Sequence, residues 1–332
     1  MKQVCINQND AGQRLDKFLD KFLVGMPKSM LYKAIRKKRV KVNGKKGELS
    51  QRLNEGDILQ LYINDEFFRE EQREIPAWLT VSPKLKIVFE DENLLIVDKP
   101  SGLVAHASAA NGQDSLIGRI CAYLYQKGDY HPERENTFAP ALCHRIDRNT
   151  SGLVIAAKNA AALRMMNEKI REKEVRKFYL CRTEGIPQPN SGTLTNWMIK
   201  DSKTNRVQAY DTAAEAVRSA EGGKAVKAIT RYQVLRQEGK TALVEAELLT
   251  GKTHQIRAQM AHAGYPLFGD VKYGAEKNGR KDYQQLRAYR LIFDFQTDAG
   301  ILNGLKGKEI RADLGEFGGE RCGMDKGTAG GN

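Results

Sequence analysis

Three short segments of the chain hold residue types that could do chemistry. HRIDRNTSG (144–152) sets an acid, Asp147, between Arg145 and Arg148 and ends in a turn of small residues. A carboxylate held beside cations can attack an electrophilic carbon or stabilise a developing positive centre. An aspartate ahead of Thr-Ser-Gly also serves as an ordinary turn cap, and the segment alone leaves both readings open. Lys177-Phe178-Tyr179 places a tyrosine in a strand, where an aromatic is usually core. GKTHQIRAQMAHAGYPLFGDVKYG (251–274) brings Lys252, His254 and Arg257 to the opening of a helix. A basic, glycine-flanked helix start suits an anion, although capping plus surface charge would leave the same residues there.

Other chemistries are excluded by what is missing. Phosphate-binding glycine loops, a nucleophile elbow and the two-histidine zinc helix have no counterpart in the sequence. Asp147-Arg148-Asn149-Thr150 lacks the second carboxylate that an aspartyl-phosphate phosphatase needs. The five cysteines (Cys5, Cys121, Cys143, Cys181, Cys322) are scattered with no C-x-x-C pair, and no two of the five histidines stand four apart. Neither a disulfide framework nor a metal site is expected, and no cofactor. No run approaches the ~18 apolar residues of a membrane span. MKQVCINQNDAGQRL has no apolar signal region, so a cytoplasmic protein is expected.

The elements that must position these residues follow from pattern. KIVFEDENLLIVDKPSG (86–102) reads as two apolar runs around a polar turn, and LVIAAK (153–158) as a short buried strand. Ala162, Leu163, Met166 and Ile170 mark a helix, whereas 175–185, 228–235 and 242–251 are strands by their β-branched and aromatic content. A helix over 253–264 ends at Gly264, with Pro266 just beyond. Strands outnumber helices without alternating with them. The fold class expected is α+β, on a mixed, largely antiparallel sheet.

Charge divides the chain. Of 332 residues, 54 are Lys or Arg and 41 Asp or Glu, a net charge of +13, yet residues 1–50 alone hold 13 basic and 4 acidic residues. Leu15, Phe18, Leu19, Phe22 and Leu23 trace one helix face, and Met30, Leu31, Ala34 and Ile35 trace another. Val40 and Val42 alternate with Arg39 and Lys41 before an Asn43-Gly44 hairpin turn. This small α/β unit presents a basic strip: Lys28, Lys33, Arg36, Lys37, Lys38, Arg39 and Lys41. Such a strip is either a solvated lysine face or a grip on a nucleic-acid backbone.

RLDKFL (14–19) and SMLYKAIRKKRVKVNGK (29–45) resemble the alpha-L RNA-binding module, over about residues 12–64. HRIDRNTSG, with DKPSG (98–102), KFY, GKTHQIR, GYPLFGDVKYG and LRAYRLIF (286–293), resembles the RluA/RluC/RluD family of pseudouridine synthases in motif order and spacing over about 86–295. The resemblance implies isomerisation of uridine to pseudouridine in RNA, with large-subunit ribosomal RNA the expected substrate. It implies an aspartate nucleophile at Asp147, a pairing arginine at Arg257 and a base-facing tyrosine at Tyr179, which is also a candidate for the late proton removal from the ring. Arg145 is implied to fill the space of the extruded base, with Arg148, Lys252 and His254 around the RNA. Lys252 and Arg287 depart from the usual arginine and histidine, and Ile146 from the usual leucine, without touching those roles. The expected organisation is an RNA-binding domain at 12–64, an acidic linker at 65–84, a catalytic domain at 85–300 and a partly disordered tail at 301–332, acting as a monomer without membrane or nucleotide. An extension at 126–140 is read as shaping the RNA pocket or as neutral decoration. A silent RNA-binding factor and a glycosidase releasing free uracil are the competing functions.

Overall fold

The computed structural model describes residues 1–68, 77–107, 114–201, 203–219, 224–277 and 283–317. Cys322 and the end of the tail lie outside them, as does the middle of the expected linker.

The N-terminal unit is a four-stranded sheet with two helices. Its strands are β1 (Lys2–Cys5), β2 (Val40–Val42), β3 (Lys45–Lys46) and β4 (Ile58–Leu61), in the order β1-β4-β2-β3, and its helices are α1 (Leu15–Phe22) and α2 (Lys28–Arg36). Asn43 and Gly44 both take positive φ, 50° and 76°, which is the turn their sequence calls for. Leu15, Phe18, Leu19, Leu31 and Ile35 bury their helix faces against Val40, Leu59 and Leu61. Two expectations need correcting. Met30 is 39% exposed, because the α2 stripe that meets the sheet is Leu31, Ala34 and Ile35. The unit also begins before residue 12: β1 pairs antiparallel with β4, Lys2 opposite Leu61, and Val4 and Ile6 enter the core.

The second body is an eleven-stranded mixed sheet. It comprises β5 (Ile87–Glu90), β6 (Leu94–Lys99), β7 (Ala141–Leu142), β8 (Ser151–Ala157), β9 (Val175–Glu184), β10 (Ser191–Asp201), β11 (Arg206–Tyr210), β12 (Val226–Glu238), β13 (Thr241–Leu248), β14 (Leu286–Phe293) and β15 (Glu309–Arg311). The main path runs β11-β10-β12-β13-β9-β14-β8-β6-β5, with β15 beside β14 and β7 beside β8. Among the described residues, every pairing is antiparallel except β14 with β8. The helices are α3 (Leu116–Lys127), α4 (Ala160–Arg171), α5 (Ala213–Ser219) and α6 (Gln255–His262).

Both faces of the central strands are covered, which explains why they read as unbroken apolar runs. Along β6, Leu95 and Val97 join the layer under α3, with Leu116, Ile120 and Leu124, while Leu94 and Ile96 join the layer under α4, with Ala162 and Met166. Residues 301–317 are ordered into this second layer, contrary to the expected disordered tail: Leu302, Leu305, Ile310 and Ala312 are buried, and β15 pairs with β14. Their apolar side chains are spaced too widely among glycines and charges to announce a strand.

Candidate active site

Asp147 sits in the loop between β7 and β8, and the DKPSG turn clamps that loop from below. Lys99, fully buried at the end of β6, donates to the carbonyl oxygens of Pro100 (2.9 Å), Leu103 (2.8 Å) and Arg148 (2.8 Å). Burial pushes its pKa down to about 7, while the charge of Asp147 works the other way. Gly102 N–H donates to the Arg148 carbonyl at 3.0 Å, Arg148 Nε returns a bond to the Gly102 carbonyl at 3.0 Å, and Ser101 Oγ donates to the Asn149 carbonyl at 2.8 Å. The backbone that follows the acid is thereby fixed without using its carboxylate.

Arg257 meets that carboxylate from α6, Nη1 lying 3.3 Å from Asp147 Oδ2. Its orientation is set by Asp270, which accepts from Nε at 2.7 Å and from Nη2 at 2.8 Å. Two parallel bonds fix the plane of a guanidinium and leave Nη1 as the group that can reach forward. Burial opposes the charge on Arg257, but the hydrogen bonds and charge of Asp270 outweigh it and hold the pKa above the usual arginine value. His254, at positive φ (52°) just before α6, brings Nε2 to 3.8 Å from Asp147 Oδ2 and holds Nδ1 2.8 Å from the Tyr273 hydroxyl. Burial lowers the His254 pKa below its ordinary value. The helix itself is seated by two buried glutamines one turn apart: Gln255 Nε2 donates to the Ile229 carbonyl (2.9 Å), and Gln259 Nε2 to Asn196 Oδ1 (2.8 Å).

Asp147, His254, Arg257 and Asp270 line one cleft of about 1080 Å³, with Tyr179, Lys177 and Lys252, while Lys99 and Tyr273 stand behind its wall. Asp147 keeps a quarter of its side chain open to it, whereas Arg257 is only 8% exposed. Tyr179 projects from β9 and is buried; burial, and then the charge of Asp147, push its pKa above that of a free phenol. Arg145 and Arg148 are exposed at the rim, and Lys252 is exposed before α6. No residue of the 126–140 extension is among the described lining residues, so it does not shape this pocket. The seven cations of the N-terminal strip stand apart from the cleft lining. Six of them are exposed and Lys41 is half-buried, its Nζ 5.4 Å from the ring centre of Tyr62.

Sequence reasoning missed Asp270, Tyr273 and Lys99 as members of the site, although all three lie inside the family-like motifs. It also missed the exposed aromatics Tyr32 (37%) and Tyr62 (42%) beside the basic strip. Among the described residues there is no group of three or more His, Cys, Asp or Glu placed to hold a metal ion, and no helix long and apolar enough to cross a membrane.

Residues 93–262 match the family model described as RNA pseudouridylate synthase. The chain belongs to that family. A second model, the S4 domain, matches residues 13–59 and accounts for the N-terminal RNA-binding unit. The ribosomal large subunit pseudouridine synthase C of Pasteurella multocida is 33% identical over 294 residues, covering 88% of this chain and 83% of that protein. Its counterpart in Escherichia coli K12 is 32% identical over 282 residues, 85% of this chain and 82% of the other. The solved structure of human RNA Pseudouridylate Synthase Domain Containing 1 shares the fold, with a TM-score of 0.52 at 24% identity over 70% of this chain and 84% of that one. The α+β, largely antiparallel architecture expected of the sequence is therefore a pseudouridine synthase fold, and the protein is an enzyme of that class.

Proposed function

We propose that this family member isomerises uridine to pseudouridine in large-subunit ribosomal RNA, in the cytoplasm, with Asp147 as the nucleophile. The ribosomal assignment rests on the relatives, which carry that activity in their names over more than four-fifths of their length. The nucleophile rests on one observation: a carboxylate open to a basic cleft, held by an arginine whose other face is locked by a second acid.

A paired uridine must leave its helix to reach the cleft, and exposed Arg145, two residues before the nucleophile, fills the vacated stack. Asp147 engages the ribose anomeric carbon as the bond from that carbon to ring nitrogen 1 breaks, and uracil departs with the electron pair. A single carboxylate suffices because the leaving group is a delocalised anion, unlike the alkoxide for which a glycosidase supplies an acid. The ring turns, carbon 5 bonds to the anomeric carbon as the bond to Asp147 is released, carbon 5 loses its proton and nitrogen 1 gains one. Tyr179 lines the cleft beside Asp147, where it packs on the ring and is the candidate to take the carbon-5 proton; because burial raises its pKa, that transfer relies on the acidity of the intermediate.

Asp147→Asn should abolish pseudouridine formation in ribosomal RNA transcripts while RNA affinity stays within about twofold, since the isostere keeps the shape and loses the nucleophile. A normal rate from that variant would remove Asp147 from the mechanism, and free uracil among the wild-type products would replace isomerisation by hydrolysis.

A further inference from the structure

The extension at 126–140 does something other than shape the cleft. It faces the turn between β1 and α1 of the N-terminal unit, and the two segments are bonded through side chains of both. Asp10 is fully buried, and each of its carboxylate oxygens accepts from the catalytic body: Oδ1 from Thr137 Oγ1 and Oδ2 from Asn136 Nδ2, both at 2.7 Å. Asn136 Nδ2 also reaches the Cys5 carbonyl at 2.8 Å. In return, the Glu135 carboxylate accepts from Asn9 Nδ2 at 2.7 Å and from Asn7 Nδ2 at 3.2 Å. Asn9 Oδ1 then takes the Ala160 N–H at 3.0 Å, one of the donors that the first turn of α4 cannot use internally.

A carboxylate such as Asp10 is costly to bury unless its oxygens are bonded. Its bonds on the carboxylate come from the other body, so the buried state makes physical sense only when the two bodies are docked. The same extension, with the end of α3, also seats the far end of the linker: Trp78 packs on Tyr125 of α3 and on Tyr130, ring centres 5.7 and 5.9 Å away. From Thr137 the chain then runs through β7, paired to β8, into the loop that carries Asp147 ten residues on.

We infer that residues 135–137 and Asp10 form a dock that fixes the RNA-binding unit on the catalytic body, making RNA selection depend on both surfaces at a set spacing. This rests on the proposed function for its substrate, a folded RNA that spans basic strip and cleft together. Two sites joined rigidly at the right separation bind such an RNA with a high effective concentration, and a loose joint forfeits part of it. The dock residues are positioning residues and touch no reacting atom.

The test uses the full chain with a spin label on an exposed residue of each body, and two RNAs, a long ribosomal transcript and a short stem-loop that occupies only the cleft. Two variants attack the dock from opposite sides, Asp10→Ala and the pair Asn136→Ala with Thr137→Val, so that misfolding of the small unit in the first does not decide the matter. The wild type should show one narrow label-to-label distance, and the catalytic-side pair a broad one. With that pair, KM for the long transcript should rise roughly tenfold with kcat unchanged, and the short stem-loop should be modified as by wild type. A broad distance in the wild type overturns the dock, and so does an unchanged preference for the long transcript in a variant whose distance has broadened. Absence of pseudouridine from every RNA with the wild type would instead sink the proposed function, while the distance measurement would still judge the dock.

Discussion

Asp270 takes two N–H groups of Arg257 through its two oxygens and is itself only 1% exposed, so it sets the direction of the remaining group, Nη1, toward Asp147. In Asp270→Asn the amide turns one NH₂ toward a guanidinium that only donates, which breaks the fork and leaves Arg257 charged but unaimed. Displacement of a catalytic group by about 1 Å costs on the order of 10²-fold in rate; kcat should fall by roughly that factor and KM by little. Tritium release from carbon-5-labelled RNA would measure both, and an equal loss of RNA affinity would mean that Asp270 serves binding instead. His144 offers a pH signature in the segment that carries Asp147. Its Nε2 accepts the Ile155 N–H at 3.2 Å, and burial, with the charge of Lys177 behind it, lowers its pKa from 6.5 to about 3. As pH falls below 6.5 the unfolded chain binds a proton that the folded chain refuses, so stability is lost between about 6.5 and 3, at a slope approaching ~1.4 kcal/mol per pH unit. Urea midpoints at several pH values should show this, and His144→Gln, which keeps an acceptor and does not titrate, should flatten the acid limb. The carboxylate of Asp147 and the Arg257 that pairs with it were legible from motif order. Asp270 was not, because its bond to Arg257 crosses from a loop to a helix and no spacing announces it.

At the scale of elements, the site depends on one close approach. Gly152, the second residue of β8, has φ 112°, and a Cβ there would lie 2.0 Å from the Ala288 carbonyl oxygen, in the parallel pairing of β8 with β14. Gly152→Ala must therefore separate β8 from β14 or strain both, at a cost of about 3 kcal/mol or more. Gly102 also has positive φ, 89°, but its Cβ would meet open space, so Gly102→Ala should cost about 1 kcal/mol, the backbone penalty alone. Thermal melts of the two variants separate the effects, and equal losses would mean that contact with β14 is not what requires Gly152. Elements with a strong period or an unbroken apolar run, such as α1, α4, β6 and β8, could be read in advance. β10 and β11 could not, since few of their residues are buried, whereas α3 did carry a helix signal that went unread: Leu116, Ile120 and Leu124 stand four apart between the caps Ser115 and Gly128. The ordered residues 301–317 were hidden for a related reason, since β15 is three residues long and is held by its pairing with β14.

For the whole molecule, composition located the charge but not the architecture that uses it. The pairing of β1 with β4 joins residues almost sixty positions apart, and the dock joins residues about 126 apart, distances over which no local pattern reports. What composition did show is that the basic excess belongs to one small unit, and the structure turns that excess outward: Lys33, Arg36, Lys37, Lys38 and Arg39 are all exposed, beside exposed Tyr32. Backbone neutralisation by such a face releases condensed counterions, so affinity should fall steeply with salt. Lys37→Glu with Arg39→Glu removes two of these cations without touching a core residue. RNA affinity at low salt should drop, and the slope of log affinity against log salt should shrink by roughly 1.4 to 1.8, about 0.7 to 0.9 for each phosphate that is no longer neutralised. Turnover on a saturating short stem-loop should stay near wild type, because the cleft and its carboxylate are unchanged. Filter binding across a salt series, paired with single-turnover rates, makes the comparison. An unaltered slope would mean that the strip is solvated surface, leaving the exposed tyrosines and the cleft itself to hold the RNA.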